Sequence, residues 1–508
     1  MEENVAIELR GIYKRFGRIQ ANKDVNLKLY HGEILSLLGE NGSGKTTLMN
    51  MISGIYFPDE GQIFINGEEV VIKSPKDAFD NGIGMIHQHF KLIDVFTATQ
   101  NIVLGMEGKL DLKAAANNVK ELCDRYGFVL DPNKKIYEMS VSEKQTVEII
   151  KVLYKGANIL ILDEPTAVLT PQETEKLFAV LKKMKEDGKA IIIITHKLNE
   201  VLEVSDRVTV LRKGETVGSV NTDEATVESL TEMMVGKKIE LNIERTDPVN
   251  PVERLLVENL SCTNREGLPM LKNVTFTANA GEITGIAGIA GSGQRELLES
   301  IAGLQRDNSG SITYIDPETG TKKNLKDMSP TQIRALGVRL SFVPEDRLGM
   351  GLVGNMDIID NMMLRTYRKG KSVFLEKSGP TALATKIVED LEVVTPNITT
   401  PVRRLSGGNV QKVLVGREIA SGPTVLMVAY PVRGLDINSS YLIYNLLNKQ
   451  KESGAAVIFV GEDLDVLIGL CDKIYVLCGG QITGKVDARK TSKEEIGYLM
   501  TKGAGGSK

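Results

Sequence analysis

The chain repeats itself. Lys23-Asp24-Val25-Asn26-Leu27, Gly32-Glu33-Ile34 and Gly39-Glu40-Asn41-Gly42-Ser43-Gly44 recur as Lys272-Asn273-Val274-Thr275-Phe276, Gly281-Glu282-Ile283 and Gly288-Ile289-Ala290-Gly291-Ser292-Gly293. All three blocks keep one constant spacing, which chance rarely preserves, so two copies of one domain are expected. The 508 residues suit that arrangement, being too many for one ordinary core and enough for two domains of roughly 250. The expected boundaries are residues 5–240 and 254–500. Between them lies a polar linker, 241–253, carrying Pro248 and Pro251, and a short flexible tail follows at 501–508.

Within each copy, short apolar runs such as Ile159 to Leu162, Ala190 to Ile194 and Val208 to Leu211 alternate with helical stretches such as Thr174 to Asp187. Alternation of this kind predicts an α/β fold with a largely parallel sheet flanked by helices, whose ligands sit at the carboxyl ends of the strands. From about Phe90 to Val152 the pattern turns helical, as for an inserted subdomain. A formal charge of -4 gives no electrostatic footprint for nucleic acid. The acidic start lacks the apolar stretch of a signal peptide, and no run approaches the length of a membrane span. Cys123, Cys262, Cys471 and Cys478 form no CxxC pair, so reduced thiols are expected rather than a disulfide framework or a zinc site.

Gly39-Glu40-Asn41-Gly42-Ser43-Gly44-Lys45-Thr46 follows the strand-like Ile34 to Leu38 and opens a helix through Leu48 to Ile52, the context a phosphate-binding loop needs. Glycines let the backbone wrap closely round phosphates, so that main-chain N–H groups and the positive helix end face the anion. Lys45 would neutralise β and γ oxygens, the Thr46 hydroxyl would bind Mg²⁺, and Thr47 lies beside it at the helix start. The apolar run Ile159 to Leu162 ends in Asp163-Glu164. Mg²⁺-dependent phosphoryl transfer needs one carboxylate on the metal shell and one to orient water, which assigns Asp163 to the metal and Glu164 to general base. His196, after Ile191 to Thr195, stands where a γ-phosphate sensor would. Gln88 and Phe16 are single residues, with Phe16 able to stack on adenine.

Taken together, these residues resemble the ABC ATPase family, and more narrowly the tandem ATPases of sugar and nucleoside importers, over about Ile7 to Met500. The sharpest marks are Leu405-Ser406-Gly407-Gly408-Asn409-Val410-Gln411, similar to the family signature, and the run Asp163 to Thr170. The resemblance implies two tandem P-loop nucleotide-binding domains, each with a RecA-like core sheet, an antiparallel β subdomain and a helical subdomain. It makes Phe16 the adenine-stacking aromatic, Gln88 the metal-shell residue linking ATP to the permease, and His196 the γ-phosphate switch. It also implies head-to-tail pairing, in which Ser406, Gly407 and Gly408 meet the ATP held by the other half.

The second copy departs systematically. Lys45 becomes Gln294, Thr46 becomes Arg295, Asp163 and Glu164 become Ala429 and Tyr430, His196 becomes Glu462, and Phe16 falls on Arg265. Conversely, the first copy's signature is degraded to Met139-Ser140-Val141-Ser142-Glu143, and Thr170 stands where the second has Asp436. With head-to-tail pairing all the damage falls on one composite site. One hydrolytic site is therefore expected, beside a degenerate one in which Gly288, Gly291, Ser292, Gly293 and Gln294 at most hold nucleotide.

The implied cofactors are ATP and Mg²⁺, and the implied partners are two transmembrane permease subunits and an extracytoplasmic substrate-binding lipoprotein. Peripheral association with the cytoplasmic face of the cell membrane follows, without nucleic acid. His87-Gln88-His89-Phe90 leans toward nucleosides, while Phe342 to Arg347 and Gly349 to Gly351 are shared with simple-sugar importers. Rival expectations are a soluble tandem ABC protein acting on the ribosome, disfavoured by the short linker and degraded site, and a purely regulatory nucleotide-binding module.

Overall fold

Strands buried at every position can only lie in a sheet covered on both faces, and the central strands of each copy are of this kind. The computed structural model describes residues 4–502 except 18, 88–89, 107–110, 168, 196, 237–242, 244, 249–250, 265–266, 290, 306–307, 343–350, 365–366, 368–374, 421, 434 and 462. It divides into two units, Met1–Glu240 and Leu241–Lys508.

In the first unit, β1 (Val5–Phe16) and β2 (Ile19–Tyr30) form a hairpin, followed by β3 (Ile34–Leu38), the helix Lys45–Ile52, β4 (Glu60–Ile65) and β5 (Glu68–Val70). After β6 (Ile83–Ile86) come the helices Ala98–Val103, Leu112–Tyr126 and Val141–Tyr154, which are the inserted helical subdomain. Then follow β7 (Ile159–Asp163), the helix Pro171–Glu186, β8 (Ala190–Ile194), β9 (Arg207–Arg212) and β10 (Glu215–Asn221). One sheet has the order β2-β1-β4-β5 and is antiparallel; the other has the order β10-β9-β3-β8-β7-β6 and is parallel except for its β10 edge.

Alternation decides which face each side chain covers. Leu35, Leu37, Ile159, Ile161, Ile192 and Ile194 pack with the antiparallel sheet and the helix Lys45–Ile52. Their neighbours Ile34, Leu160, Leu162, Ile191 and Ile193 pack with the helical subdomain and the helix Pro171–Glu186.

The second unit repeats this plan with β11 (Val252–Thr263), β12 (Pro269–Ala280), β13 (Ile283–Ala287), β14 (Asn308–Ile315), β15 (Lys322–Asn324), β16 (Val338–Phe342), β17 (Val425–Ala429), β18 (Ala456–Val460), β19 (Lys473–Cys478) and β20 (Gln481–Asp487). Its sheets run β12-β11-β14-β15 and β16-β17-β18-β13-β19-β20, the same two orders. The helices Ile358–Met363, Ser378–Asp390 and Gly407–Ile419 form its helical subdomain. Among the described residues no helix is long and apolar enough to cross a membrane.

The two units differ at one shared ion pair. In the first, Lys185 meets Asp206 at 2.5 Å, and both side chains keep over a third of their surface exposed. The counterpart pair, Lys451 and Asp472 at 2.9 Å, is almost wholly buried. The cover is the segment that leads into the second unit. Ile243 packs on its core, Arg245 Nη1 donates to the carbonyls of Ile468 and Cys471 at a helix end, and the Thr246 carbonyl accepts from Lys451 Nζ at 2.5 Å. Removing one partner of a buried pair strands the other charge, which costs about 3–5 kcal/mol, whereas a half-exposed pair contributes about 0–1 kcal/mol. Lys451→Ala is therefore expected to lower the urea midpoint of the second unit strongly and Lys185→Ala to move that of the first only slightly; equal shifts would contradict the burial difference.

Candidate active site

The phosphate loop is built by glycines that no other residue can replace. Gly44, the N-cap of the helix Lys45–Ile52, has φ 100°. A Cβ there would lie 2.4 Å from the Ala21 carbonyl oxygen and 2.6 Å from Asn22 Nδ2, so the chain needs glycine for its conformation and for the close approach. Behind it, Gly42 also has positive φ, Ser43 is buried, and Asn41, Gly42 and Thr46 face solvent. Lys45 is folded back over the loop, its Nζ donating to the carbonyls of Gly39 (2.6 Å) and Glu40 (3.0 Å).

The carboxylates come from the neighbouring part of the sheet. Asp163 ends β7, and Glu164 turns out of it at φ 48° while its N–H still donates to the Ile194 carbonyl at 2.8 Å. A non-glycine residue held in this region stores about 1–3 kcal/mol of strain, a cost characteristic of functional sites. Gln145, on the signature-position helix Val141–Tyr154, donates to the Pro165 carbonyl at 2.7 Å and so ties that helix to the carboxylate turn.

Charges at the site are mutually dependent. Burial pushes the Asp163 carboxyl up to about 6, repulsion by Glu164 adds to this, and Lys45 opposes it. Burial lowers the Lys45 ammonium, against the pull of Glu164, Asp163 and Glu40. A half-buried carboxylate beside a second one is an acceptor short of positive charge. Together with the Thr46 hydroxyl it offers hard oxygen donors that fit Mg²⁺. Among the described residues there is no group of three or more His, Cys, Asp or Glu that could hold a metal ion.

The second unit keeps the backbone and drops the chemistry. Gly293 caps the helix Gln294–Ile301 at φ 105°, the Ser292 N–H donates to the Ile289 carbonyl at 3.1 Å as Ser43 N–H does to Glu40, and Gly480 N–H bonds the Ser292 carbonyl as Gly214 N–H bonds that of Ser43. Gln294 takes the lysine's place as a neutral donor to the Ile289 carbonyl at 3.0 Å, and Arg295 turns outward to pair with Glu299. A Cβ on Gly288 would sit 2.5 Å from the Leu477 carbonyl oxygen, and Gly291 keeps positive φ. Tyr430 repeats the strained turn at φ 52°, its N–H on the Val460 carbonyl, yet Ala429 and Tyr430 pack with the core. Gln411 holds the Pro431 carbonyl as Gln145 holds that of Pro165.

The signature turns reverse this asymmetry. Ser406 caps the helix Gly407–Ile419, accepting from the Asn409 amide, and a Cβ on Gly408 would meet nothing closer than 3.7 Å. Internal packing does not demand that glycine. In the first unit Ser140 caps the equivalent helix, but Glu143 closes a capping box over it and pairs with Lys134 at 2.7 Å, placing a carboxylate where the second unit has the neutral Asn409. Thr170 and Asp436 are both helix N-caps, so their difference needs no catalytic explanation.

Against known proteins, the ABC transporter family model matches residues 22–167 and again 271–431. The chain belongs to the ABC transporter family. Its relatives include the nucleoside import ATP-binding protein NupA of Lactococcus lactis subsp. cremoris, 40% identical with 99% of both chains covered, and the guanosine import ATP-binding protein NupO of Bacillus subtilis, 40% identical with 97% of both covered. The ribose import ATP-binding protein RbsA 1 of Rubrobacter xylanophilus is 37% identical over 98% of each.

As an ABC transporter ATPase subunit, the chain brings Lys45, Asp163 and Glu164 into one electrostatic cluster, and Phe16 stands exposed at the end of β1. Gln88, His89, Val168, His196, Glu462, Arg265, Ala290 and the stretch Val343 to Met350 lie outside the described residues. Sequence reasoning named Gln411 only as part of the signature-like run and missed its counterpart Gln145, and it did not single out Tyr56, in the apolar run Ile55-Tyr56-Phe57 directly after Gly54. Because the folded Asp163 titrates above its ordinary 3.8, its ionisation opposes folding, and the nucleotide-free first unit loses stability as pH rises from about 4 through about 6. Asp163→Asn removes that cost. It should stabilise the nucleotide-free chain at pH 7 by about 1–2 kcal/mol after allowing for solvent screening, and flatten its melting temperature against pH, while ending Mg²⁺-dependent turnover. An unchanged pH profile would contradict the charge imbalance.

Proposed function

We propose that the chain energises nucleoside import as the ATPase subunit of a transporter, working peripherally at the cytoplasmic face of the membrane beneath two permease subunits that an extracytoplasmic substrate-binding lipoprotein supplies. The observation that carries the hydrolytic assignment is the confinement of buried Lys45 and the Asp163–Glu164 pair to one unit, while the other keeps only the loop's backbone. Nucleosides are favoured as cargo by the names of the relatives at 40% identity, narrowly ahead of a glucose import relative at 39% and the ribose relative at 37%. Paired docking of permeases is supported by apolar side chains exposed at like places on the two helical subdomains: Ile93, Leu104 and Met106 in the first unit, Val353, Leu364 and Tyr367 in the second.

In the proposed cycle, backbone N–H groups of Gly42 to Thr46 and the Lys45 ammonium hold the β and γ phosphates. Thr46 and Asp163, with Gln88, would hold Mg²⁺, which would neutralise charge on the phosphates. Glu164 accepts a proton from the attacking water, His196 contacts the γ-phosphate, and Phe16 stacks on the base. Ser406, Gly407 and Gly408 are assigned to nucleotide contact on the strength of the signature-like run, and packing does not demand the glycine at 408, where a Cβ would meet nothing closer than 3.7 Å. Loss of a positioned base typically lowers rate by about 10²–10⁴.

Glu164→Gln is accordingly expected to bind ATP normally and to lose turnover by at least about a hundredfold, with Tyr430→Phe leaving turnover nearly unchanged in the same phosphate-release assay. Hydrolysis that survives the first substitution overturns the assignment. For cargo, ATP hydrolysis by the complex purified with its permeases and binding protein should rise with purine nucleosides and not with ribose or galactose; stimulation by a sugar alone would overturn the nucleoside proposal.

A further inference from the structure

Beyond the end of the phosphate-loop helix, two aromatic rings stand together outside the hydrophobic clusters of the described residues. Phe16, at the end of β1, and Tyr56, four residues beyond the helix Lys45–Ile52, keep 43% and 39% of their surfaces exposed. Their centroids are 5.2 Å apart with the planes at 69°, an edge-to-face pair. That geometry leaves a face of the Phe16 ring free of Tyr56, and it is favourable beyond the area it covers.

The surrounding backbone fixes both partners. The N–H groups of Ile55 and Tyr56 both donate to the Asn50 carbonyl, at 2.8 and 3.0 Å, which locks the turn carrying Tyr56 to the end of the phosphate-loop helix. Lys14 Nζ donates to the Phe57 carbonyl at 2.7 Å and pairs with Asp59 at 2.8 Å, and Asp59 accepts from the Arg15 N–H at 2.7 Å. The strand end bearing Phe16 is thereby tied to the segment bearing Tyr56. Lys14 Nζ also lies 5.6 Å from the Phe16 centroid.

The second unit supplies an internal control. Its turn is the same: Leu304 and Gln305 N–H groups both donate to the Glu299 carbonyl, at 2.8 and 3.3 Å, after Gly303, which has positive φ like Gly54. Only the side chains differ. Arg265 stands in sequence where Phe16 does, and Gln305 replaces Tyr56, its amide donating to the Thr263 carbonyl instead of meeting a ring. Both aromatics are absent from the unit that lacks the lysine and carboxylates.

We infer that Tyr56 is a positioning residue for nucleotide binding, holding the Phe16 ring by their edge-to-face contact so that a ring face of Phe16 meets the base of ATP. The inference rests on the proposed stacking role of Phe16. A bulky ring kept two-fifths in water at the end of a strand has many rotamers available without a partner, and each must be given up when a base binds. Tyr56 removes that freedom in advance.

The test is steady-state ATP hydrolysis by the full chain in its complex, with inorganic tripolyphosphate as a base-free competitor. Tyr56→Ala is expected to raise KM for ATP about two- to tenfold with kcat unchanged and the inhibition constant for tripolyphosphate unchanged. Tyr56→Phe should restore KM, and Phe16→Ala should raise it at least as much. If Phe16→Ala raises KM and Tyr56→Ala does not, the positioning role is wrong while the stacking role stands. No effect of Phe16→Ala removes both. Equal weakening of ATP and tripolyphosphate by Tyr56→Ala would show damage to the phosphate loop itself and overturn the inference.

Discussion

A left-handed glycine pressed against a neighbouring carbonyl underlies the first active site. Gly44 lies so close to the Ala21 carbonyl that a methyl group would overlap it at 2.4 Å, and this contact seats the phosphate loop against the strand hairpin. From that seat the helix Lys45–Ile52 starts with its first N–H groups open and Lys45 turned back over them. Gly293 repeats the conformation against Met270 and Leu271 in the second unit. The loop is thus a property of backbone packing, and it survives whichever side chains decorate it.

What the second unit lacks is a balance of buried charge. In the first, a desolvated lysine and the carboxylates beside it favour each other's charged forms while Glu164 repels Asp163, and the excess negative charge suits a metal ion arriving with phosphate. In the second, Gln294 makes the loop's internal hydrogen bond without charge, and Ala429 and Tyr430 let the strand end join the core. Replacing a charged cluster by neutral and apolar groups relieves desolvation and costs the fold nothing. The strained turn at Tyr430 persists, since it is set by the ladder bond to Val460 and by Gln411 on the following proline carbonyl.

Much of this was legible in the sequence. Alternation of apolar runs with helices gave the sheets, and Ile34 to Leu38 and Ala190 to Ile194 are strands at those bounds. Lys45, Asp163 and Glu164 were readable because each sits at a strand end or helix start where its charge has no structural use. The antiparallel β10 edge was not read, because its alternating pattern carries no mark of strand direction. Nor was the burial of Lys451, since an identical lysine–aspartate pair in the first unit is open and only the segment around Thr246 makes the difference. Glu143 read as damage to a signature; in three dimensions it is also a helix cap, because a serine followed three residues later by glutamate satisfies its own helix start.

One site that turns over within two similar frameworks is the central claim, and counting products trapped on the chain tests it directly. The complex, turning over with Mg²⁺ and ATP, is arrested by orthovanadate, which mimics the phosphoryl group in flight, and the tightly held nucleotide is extracted and quantified. The account predicts one ADP trapped per chain, lost with Glu164→Gln. Two trapped ADP per chain, or one that survives that substitution, would contradict it.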